Sequence, residues 1–235
     1  NPELGTDADR KALIAALHGR GMGFVLDIVP NHMGTGPANP YWMDVLRNGE
    51  RSRFARWFDI DWEMHRGPRG QGRVMVPVLG DDIDAIIERD ELTLTRENGD
   101  LKLKYFENSF PLAPETVQGL PKEDLEEWGA GPQGKKRLRE LVETQHYLLA
   151  NWRRAAGEIN YRRFFDINEL IALRMEDPRV FDETHRLILD WVADGSLDAL
   201  RIDHIDGLRD PLGYLEKLRS EVERRRGDDV RDQPF

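Results

Sequence analysis

The chain has 235 residues, of which 33% are charged and 39% hydrophobic, and its formal net charge is −10 at pH 7. This composition is typical of a globular protein, and the negative charge disfavours nucleic acids and anionic membranes as partners. The absence of cysteine excludes disulfides and thiolate chemistry, and it fits a cytoplasmic location. No apolar run approaches the ~18 residues that a membrane span needs.

The N-terminal part of the chain predicts a helix followed by a buried strand. Thr6 and Asp9 form a capping-box pattern at the start of the helix. An apolar stripe with helical spacing follows and consists of Leu13, Ile14 and Leu17. Glycines between residues 19 and 23 end the helix, and the run FVLDIV predicts a short strand that Pro30 terminates. This order is typical of an α/β fold with parallel strands.

The middle of the chain, from about Gly34 to Asn160, is rich in Gly and Pro and predicts only short elements. One of them is a hairpin in LTLTRENGDLKLKYF, with its turn at Asn98 and Gly99. A helix is predicted over roughly residues 135 to 155. We interpret the segment as a subdomain inserted between two α/β pieces.

The C-terminal part returns to alternating helix and strand. Asp177 and Pro178 predict the cap and the first residue of a helix that ends at Gly195. The stretch DALRIDHIDGL, residues 198 to 208, then predicts a second strand. The predicted domains are a helix and strand over 1–36, the inserted subdomain over 37–160, and a helix, strand and following helix over 161–235.

Charged and polar side chains stand at the ends of both predicted strands. Side chains alternate along a strand, so Arg201 and Asp203 share one face of the second strand. Asp27, Asn31 and His32 cluster at the carboxyl end of the first strand. Buried charges are unfavourable unless they are paired or solvated, so charged residues at the ends of both strands indicate a catalytic site. The alternative interpretation is an Arg–Asp pair that only fixes the strand register.

Three short motifs, DIVPNH, ALRID and FFDIN, resemble regions of the α-amylase superfamily of retaining α-glucan enzymes. Longer runs, such as QHYLLANWRRAAGEINYRRFFDINELIALRME, resemble the maltooligosyl trehalose synthase family over nearly the whole chain. The resemblance implies a partial (β/α)8 TIM barrel, about strands 3 and 4 with flanking helices, plus an inserted α+β subdomain. It also implies an internal fragment that lacks the general-acid glutamate, so the 235 residues alone are expected to be inactive.

The resemblance further implies roles for individual residues. Asp203 matches the family's nucleophile, and Arg201 would hold it ionised and oriented. His32 would contact hydroxyls of the glucose unit under attack, while Asp27 and Asn31 would support that loop. The other candidate substrate-binding residues are His204, Asp206, Trp57, Trp62, Arg163 and Asp166. For the two tryptophans, packing in the core of the subdomain is an equal alternative.

The implied reaction is intramolecular transglycosylation, which makes the enzyme an isomerase. It would convert the reducing-end α-1,4 bond of a maltooligosaccharide into an α,α-1,1 bond. No cofactor is predicted, although a calcium ion at Asn31 and Asp166 is left open, and a trehalose-releasing hydrolase is the expected functional partner. The alternatives are another hydrolase or transglycosylase of the superfamily, a non-catalytic glucan-binding module, and a purely structural protein.

Overall fold

The computed structural model describes residue 3 and residues 5–120 and 125–226. Its helices, in chain order, are α1 (Asp7–His18), α2 (Pro40–Asn48), α3 (Ile83–Glu88), α4 (Pro114–Val117), α5 (Leu125–Gly129), α6 (Gly131–Glu143), α7 (Ala155–Glu158), α8 (Pro178–Ala193) and α9 (Pro211–Arg226). Its strands are β1 (Val25–Ile28), β2 (His32–Gly34), β3 (Val74–Leu79), β4 (Leu92–Glu97), β5 (Asp100–Tyr105), β6 (Asn108–Pro111), β7 (Tyr147–Asn151), β8 (Arg163–Phe164), β9 (Ile167–Ala172) and β10 (Ala199–Ile202). Short 3₁₀ turns cover Gly49–Arg51, Ala55–Trp57, Trp152–Arg154 and Ile205–Gly207.

The elements form two compact units. The first unit combines Asn1–Asn31 with Leu173–Phe235 and contains α1, β1, α8, β10 and α9. The second unit is His32–Ala172 and contains the elements from β2 to β9. Helices and parallel strands alternate in the first unit, which confirms the predicted α/β character. Within the described ranges, no helix has the length and apolar content that crossing a bilayer requires.

The two strands of the first unit form a parallel pair. β1 lies alongside β10 with Val25 opposite Ala199 and Asp27 opposite Arg201. The ladder continues one step further, because the backbone N–H of Asp203 donates to the carbonyl of Ile28 at 2.9 Å. Since parallel strands run in the same direction, the residues that follow β1 and β10 lie together at the carboxyl ends of the two strands. The candidate site lies at these carboxyl ends.

The helices of the first unit begin where the sequence predicts. Thr6 and Asp9 form a complete capping box at the start of α1, and the Asp177 carboxylate accepts the backbone N–H of Arg179 at the start of α8. α8 and α9 pack against each other. Their buried side chains are Val180, Phe181, His185, Leu189, Val192, Tyr214, Leu218 and Val222. Both predicted helix starts are therefore confirmed.

The second unit contains three small sheets. β2, β9 and β8 form an antiparallel sheet, β3 and β7 a parallel pair, and β4, β5 and β6 an antiparallel meander. The predicted hairpin is confirmed, since β4 and β5 pair around Asn98 and Gly99. Both of these residues have positive φ, 51° and 88°, as a two-residue hairpin turn with right-handed strand twist requires.

The helix predicted over residues 135 to 155 is wrong in its second half. α6 ends at Glu143, and Tyr147–Asn151 form strand β7, which pairs with β3. The run YLLA is short and wholly apolar, so periodicity alone cannot distinguish a buried helix from a buried strand. The pairing with the equally apolar β3 decides the outcome, because both strands are almost fully buried.

Candidate active site

Arg201 and Asp27 form an ion pair across the two strands of the first unit. They are direct register partners, and Nη1 of Arg201 donates to Oδ2 of Asp27 at 3.0 Å. Both side chains are open to solvent, at 68% and 54% exposure. The expectation that Arg201 orients Asp203 therefore differs from the geometry, in which the partner of Arg201 lies on the neighbouring strand.

Asp203 lies just past the end of β10, where the chain turns sharply. Its carboxylate accepts the backbone N–H of His204 at 3.0 Å, and its Oδ2 lies 3.4 Å from Nε2 of the same residue. His204 adopts the left-handed conformation, with φ 55° and ψ 41°. Asp203 is partly exposed, with 41% of its side-chain surface open to solvent. The carboxylate is thus held by its own turn and remains accessible to a substrate.

Asn31 connects the segments that follow β1 and β10. Its side chain is 1% exposed and its Nδ2 donates to the carbonyl of His204 at 3.1 Å. Its own carbonyl accepts the backbone N–H of Leu173 at 2.8 Å. Gly207 packs directly on the Asn31 amide, so closely that a Cβ there would lie 1.7 Å from Nδ2. Asn31 therefore fixes the turn that carries Asp203, and Gly207 leaves the space for it.

Asp206 lies in the 3₁₀ turn that follows His204 and is exposed. A further charged group in the first unit was not predicted from the sequence. Oε1 of Glu176 lies 3.3 Å from Nε of Arg174 and 3.7 Å from Nη1 of Arg209. Since Leu173 is bonded to Asn31, this group begins one residue from the candidate site. Sequence inspection missed it because the two arginines are far apart in the chain.

The second unit carries His32, Arg163 and Asp166. His32, at the start of β2, is half-buried and stacks on Phe164, with ring centroids 4.4 Å apart. Nη2 of Arg163 donates to Oδ1 of Asp166 at 2.9 Å, and Nη1 donates to the Asn168 side chain at 2.6 Å. The Asp166 side chain is 97% exposed. His32 and Arg163 are thus fixed by their neighbours, whereas Asp166 extends into solvent.

The two candidate tryptophans differ in their surroundings. Trp57 is 6% exposed and contacts the rings of Tyr41 and Phe54, at centroid distances of 4.6 and 5.1 Å. This is the environment that the core interpretation of Trp57 predicts. Trp62 is half-buried, so part of its surface is accessible to a ligand.

Two further histidines have partners that the sequence did not reveal. Nε2 of His146 lies 3.1 Å from Oε1 of Glu115, and Nε2 of His185 lies 2.8 Å from the Tyr214 hydroxyl. Both histidines are buried. Each partner is about thirty positions away along the chain, so no local pattern could have indicated the pairing.

The described residues hold no group of three His, Asp or Glu side chains that could bind a metal ion. Of the two positions considered for calcium, Asn31 is buried in the first unit and engaged with the His204 carbonyl. Asp166 belongs to the second unit and is bonded to Arg163. Asp166 is therefore accounted for by a protein contact, whereas the buried Oδ1 of Asn31 has no hydrogen-bond partner among the described residues.

Comparison with known proteins first gives the class. Residues 1–110 match the family model described as "Alpha amylase, catalytic domain". This matched segment contains β1, with Asp27 in the strand and Asn31 just after its carboxyl end.

More specific relatives cover nearly the whole chain. A Mycobacterium tuberculosis H37Rv protein that carries the name maltooligosyl trehalose synthase is 41% identical over 221 residues, which are 93% of this chain and 25% of that protein. The structure of maltooligosyltrehalose synthase from Arthrobacter ramosus superposes with a TM-score of 0.73 at 47% identity, over 92% of this chain and 25% of that one. A hypothetical maltooligosyl trehalose synthase from Sulfolobus tokodaii matches with a TM-score of 0.73 at 33% identity, over 96% and 27%.

These matches confirm the predicted resemblance to maltooligosyl trehalose synthases. The chain spans about a quarter of the length of these relatives.

Proposed function

We propose that the chain forms the nucleophile-bearing part of a maltooligosyl trehalose synthase. The observation that carries this proposal is the accessible Asp203 carboxylate at the end of β10, in a chain 41% to 47% identical to proteins of that name. The substrate would be a maltooligosaccharide. The product would carry a terminal trehalose unit, which is the substrate that a trehalose-releasing hydrolase requires.

The chemistry follows from a retaining mechanism. The Asp203 carboxylate attacks the anomeric carbon on the non-reducing side of the last α-1,4 bond, that bond breaks, and a carboxylic acid ~5–5.5 Å away protonates the departing oxygen. The released glucose then attacks the glycosyl-enzyme ester through its own anomeric hydroxyl and returns the proton to the acid. Asp203 leaves as a carboxylate. No water is consumed, so the product is an isomer of the substrate.

Holding the released glucose is the central requirement of this mechanism. A bound hydroxyl outcompetes water because its effective concentration at the ester is far higher than that of a free reactant. We assign His204 and Asp206, which directly follow the nucleophile, to contacts with this acceptor sugar. Asn31 positions their turn through the His204 carbonyl.

Arg201 and Asp27 would supply a polar, charged surface beside the nucleophile. The second unit contributes sugar-binding candidates of its own, and the polar or half-buried ones are His32, Trp62, Arg163 and Asp166. We assign Trp57 to packing rather than to sugar contact, because its ring is enclosed by Tyr41 and Phe54.

We also propose that the first unit is part of a (β/α)8 barrel, with β1 and β10 as its third and fourth strands. Parallel strands with charged residues at their carboxyl ends are the arrangement from which such barrels build active sites. The division into 1–36, 37–160 and 161–235 is part of this proposal. The order of the division is supported by a first unit that draws on both ends of the chain and a second unit that takes the middle. The second unit runs over His32–Ala172, so it also includes β8 and β9, which the division assigns to the C-terminal part.

The reaction is tested by incubating the complete protein with maltopentaose and following reducing ends and free glucose. We expect reducing ends to disappear as a non-reducing product accumulates, with little glucose set free. An increase in reducing ends would instead identify a hydrolase of the same superfamily. No change in either quantity would favour a glucan-binding module without catalytic activity.

The substitution Arg201→Gln distinguishes the catalytic interpretation of the two strand ends from the interpretation that the Arg–Asp pair only fixes the strand register. An exposed ion pair contributes at most about 1 kcal/mol to stability, so Arg201→Gln should leave the melting temperature nearly unchanged. We expect kcat/KM on maltopentaose to fall by roughly 10²-fold, because a charge near the reacting carboxylate is lost.

The matched control for this prediction is Arg186→Gln, which breaks an exposed Arg–Glu pair on α8 of the same unit. Its activity and melting temperature should both stay at the wild-type level. A large drop in melting temperature for Arg201→Gln with little loss of kcat/KM would support the purely structural interpretation.

A further inference from the structure

The second unit contains a cavity of about 300 Å³ that the proposed reaction does not use. Four separate segments of the chain contribute to its wall, and every contributing residue is polar, charged or glycine. The lining residues on which the inference depends are Asn48, Glu50, Arg51, Gln71, Glu115 and His146. A wall without apolar side chains does not suit an apolar ligand.

Three side chains of the lining, Arg51, Glu115 and His146, are bonded to one another. His146 has only 5% of its side chain exposed, and its Nε2 lies 3.1 Å from Oε1 of Glu115. The same Glu115 oxygen accepts a hydrogen bond from Nη2 of Arg51 at 3.1 Å. Burial lowers the pKa of His146, against the opposing effect of Glu115, so the imidazole is neutral at pH 7. A neutral imidazole has one N–H, which in His146 lies on Nε2 and donates to the Glu115 carboxylate.

Three glycines allow the wall side chains to approach the backbone closely. A Cβ at Gly49 would lie 2.7 Å from Nδ1 of His146, and one at Gly72 would lie 2.5 Å from Oε1 of Glu50. A Cβ at Gly67 would lie 2.3 Å from Nε2 of Gln71. Any larger residue at positions 49, 67 or 72 would therefore displace a side chain that lines the cavity.

The charges of the lining are balanced. The lining contains two arginines, Arg51 and Arg69, and two glutamates, Glu50 and Glu115, and the neutral His146 adds no net charge. A balanced set of donors and acceptors disfavours a net anion or cation as ligand and favours a neutral molecule with many hydroxyl groups. Asn48 can offer its amide oxygen, because its Nδ2 donates to Asp44. Gln71 accepts the backbone N–H of Arg69 and donates to the Gln145 carbonyl, which leaves one amide N–H for a ligand.

We propose that this cavity is a second sugar-binding site, which takes one or two glucose units of a neutral α-glucan. That the sugar is a glucan rests on the proposed function, whereas the preference for a neutral polyhydroxylated ligand comes from the cavity itself. Glu115, held in place by the Nε2–H of His146, would accept a hydrogen bond from a sugar hydroxyl. Gln71 would bind from the glycine-rich turn.

The experiment uses the complete protein with Asp203→Asn, so that glucan is bound without being converted. Isothermal titration with maltotriose is carried out with and without the additional change Glu115→Gln. We expect Glu115→Gln to weaken one class of maltotriose sites by about tenfold, the effect of losing one charge-assisted hydrogen bond. The matched control is Glu140→Gln, an exposed carboxylate on α6 with the same change of charge, which should leave the titration unchanged.

A second variant guards against a folding defect in Glu115→Gln. Arg69 is an exposed cavity residue, so Arg69→Gln should keep the melting temperature and still weaken the same class of sites by about threefold. Identical maltotriose titrations for the parent, Glu115→Gln and Arg69→Gln would overturn the proposal. So would tighter binding of inorganic phosphate that both cavity variants weaken, since that result assigns an anion site. Neither result depends on whether Asp203 is catalytic.

Discussion

Replacing Asp203 with asparagine in the complete protein is expected to lower the rate of glycosyl transfer by a factor on the order of 10³ or more. The amide is uncharged and cannot form the ester intermediate that retention requires. It does keep an oxygen that can accept the backbone N–H of His204, so the turn after β10 should stay intact. The measurement is the initial rate of non-reducing product formation from maltopentaose.

Two further observations make this result specific. Asp182→Asn removes an exposed carboxylate from α8 in the same unit and should leave the rate unchanged. Glucan affinity, measured by titration with maltopentaose, should persist in Asp203→Asn because the sugar-contacting groups remain. A rate within tenfold of the wild-type value would show that Asp203 is not the nucleophile, and the proposed mechanism would have to be abandoned.

Acidification is expected to destabilise the first unit through His185. This histidine is 2% exposed, and burial lowers its pKa to about 4 from the ordinary value of 6.5, although the Phe181 carbonyl opposes the shift. The unfolded chain therefore takes up the proton first as the pH falls. The contribution of His185 to stability is fully present above pH 6.5 and is lost as the pH approaches 4.

The size of this effect follows from the shift. One pKa unit corresponds to 1.36 kcal/mol, so the loss is about 2 kcal/mol at pH 5 and about 3 kcal/mol below pH 4. Other groups titrate in the same range, so the variant comparison isolates His185. His185→Gln should flatten the difference in unfolding free energy between pH 7.5 and pH 5, as measured by hydrogen exchange of α8 and α9.

The geometry around His185 explains why protonation is unfavourable there. Its Nδ1 lies 3.1 Å from the Phe181 carbonyl and its Nε2 lies 2.8 Å from the Tyr214 hydroxyl. One neutral tautomer satisfies both contacts, with Nδ1–H as donor and Nε2 as acceptor. Lys217 lies nearby, 4.1 Å above the Phe181 ring, and adds an unfavourable positive charge. His65→Gln, in the second unit, is the control, and an equal flattening by that change would contradict the assignment.

Features that depend on neighbouring residues were predictable from the sequence. The capping box of Thr6 and Asp9 and the cap at Asp177 each involve residues two or three positions apart. The hairpin turn at Asn98 and Gly99 needs only the positive φ that these residue types adopt readily. In these cases local chemistry determines local structure.

Features that depend on distant residues were not predictable in the same way. Arg201 was expected to serve Asp203, two positions away, but its hydrogen bond goes to Asp27, 174 positions away. The register of β1 against β10 places these two side chains opposite each other, and no local pattern encodes that register. The same reason applies to β7, whose strand form depends on β3, and to the four-segment cavity around His146.

The path of the chain has a consequence for the order of assembly. Pairing β1 with β10 across so many intervening residues would demand a large loss of chain entropy if those residues were a flexible loop. The second unit removes most of this demand, because His32 and Ala172 at its two ends are register partners in one sheet. Once that unit has folded, the two chain segments that leave it start side by side. We therefore expect the second unit to fold early and so to bring together the two chain segments from which the first unit forms.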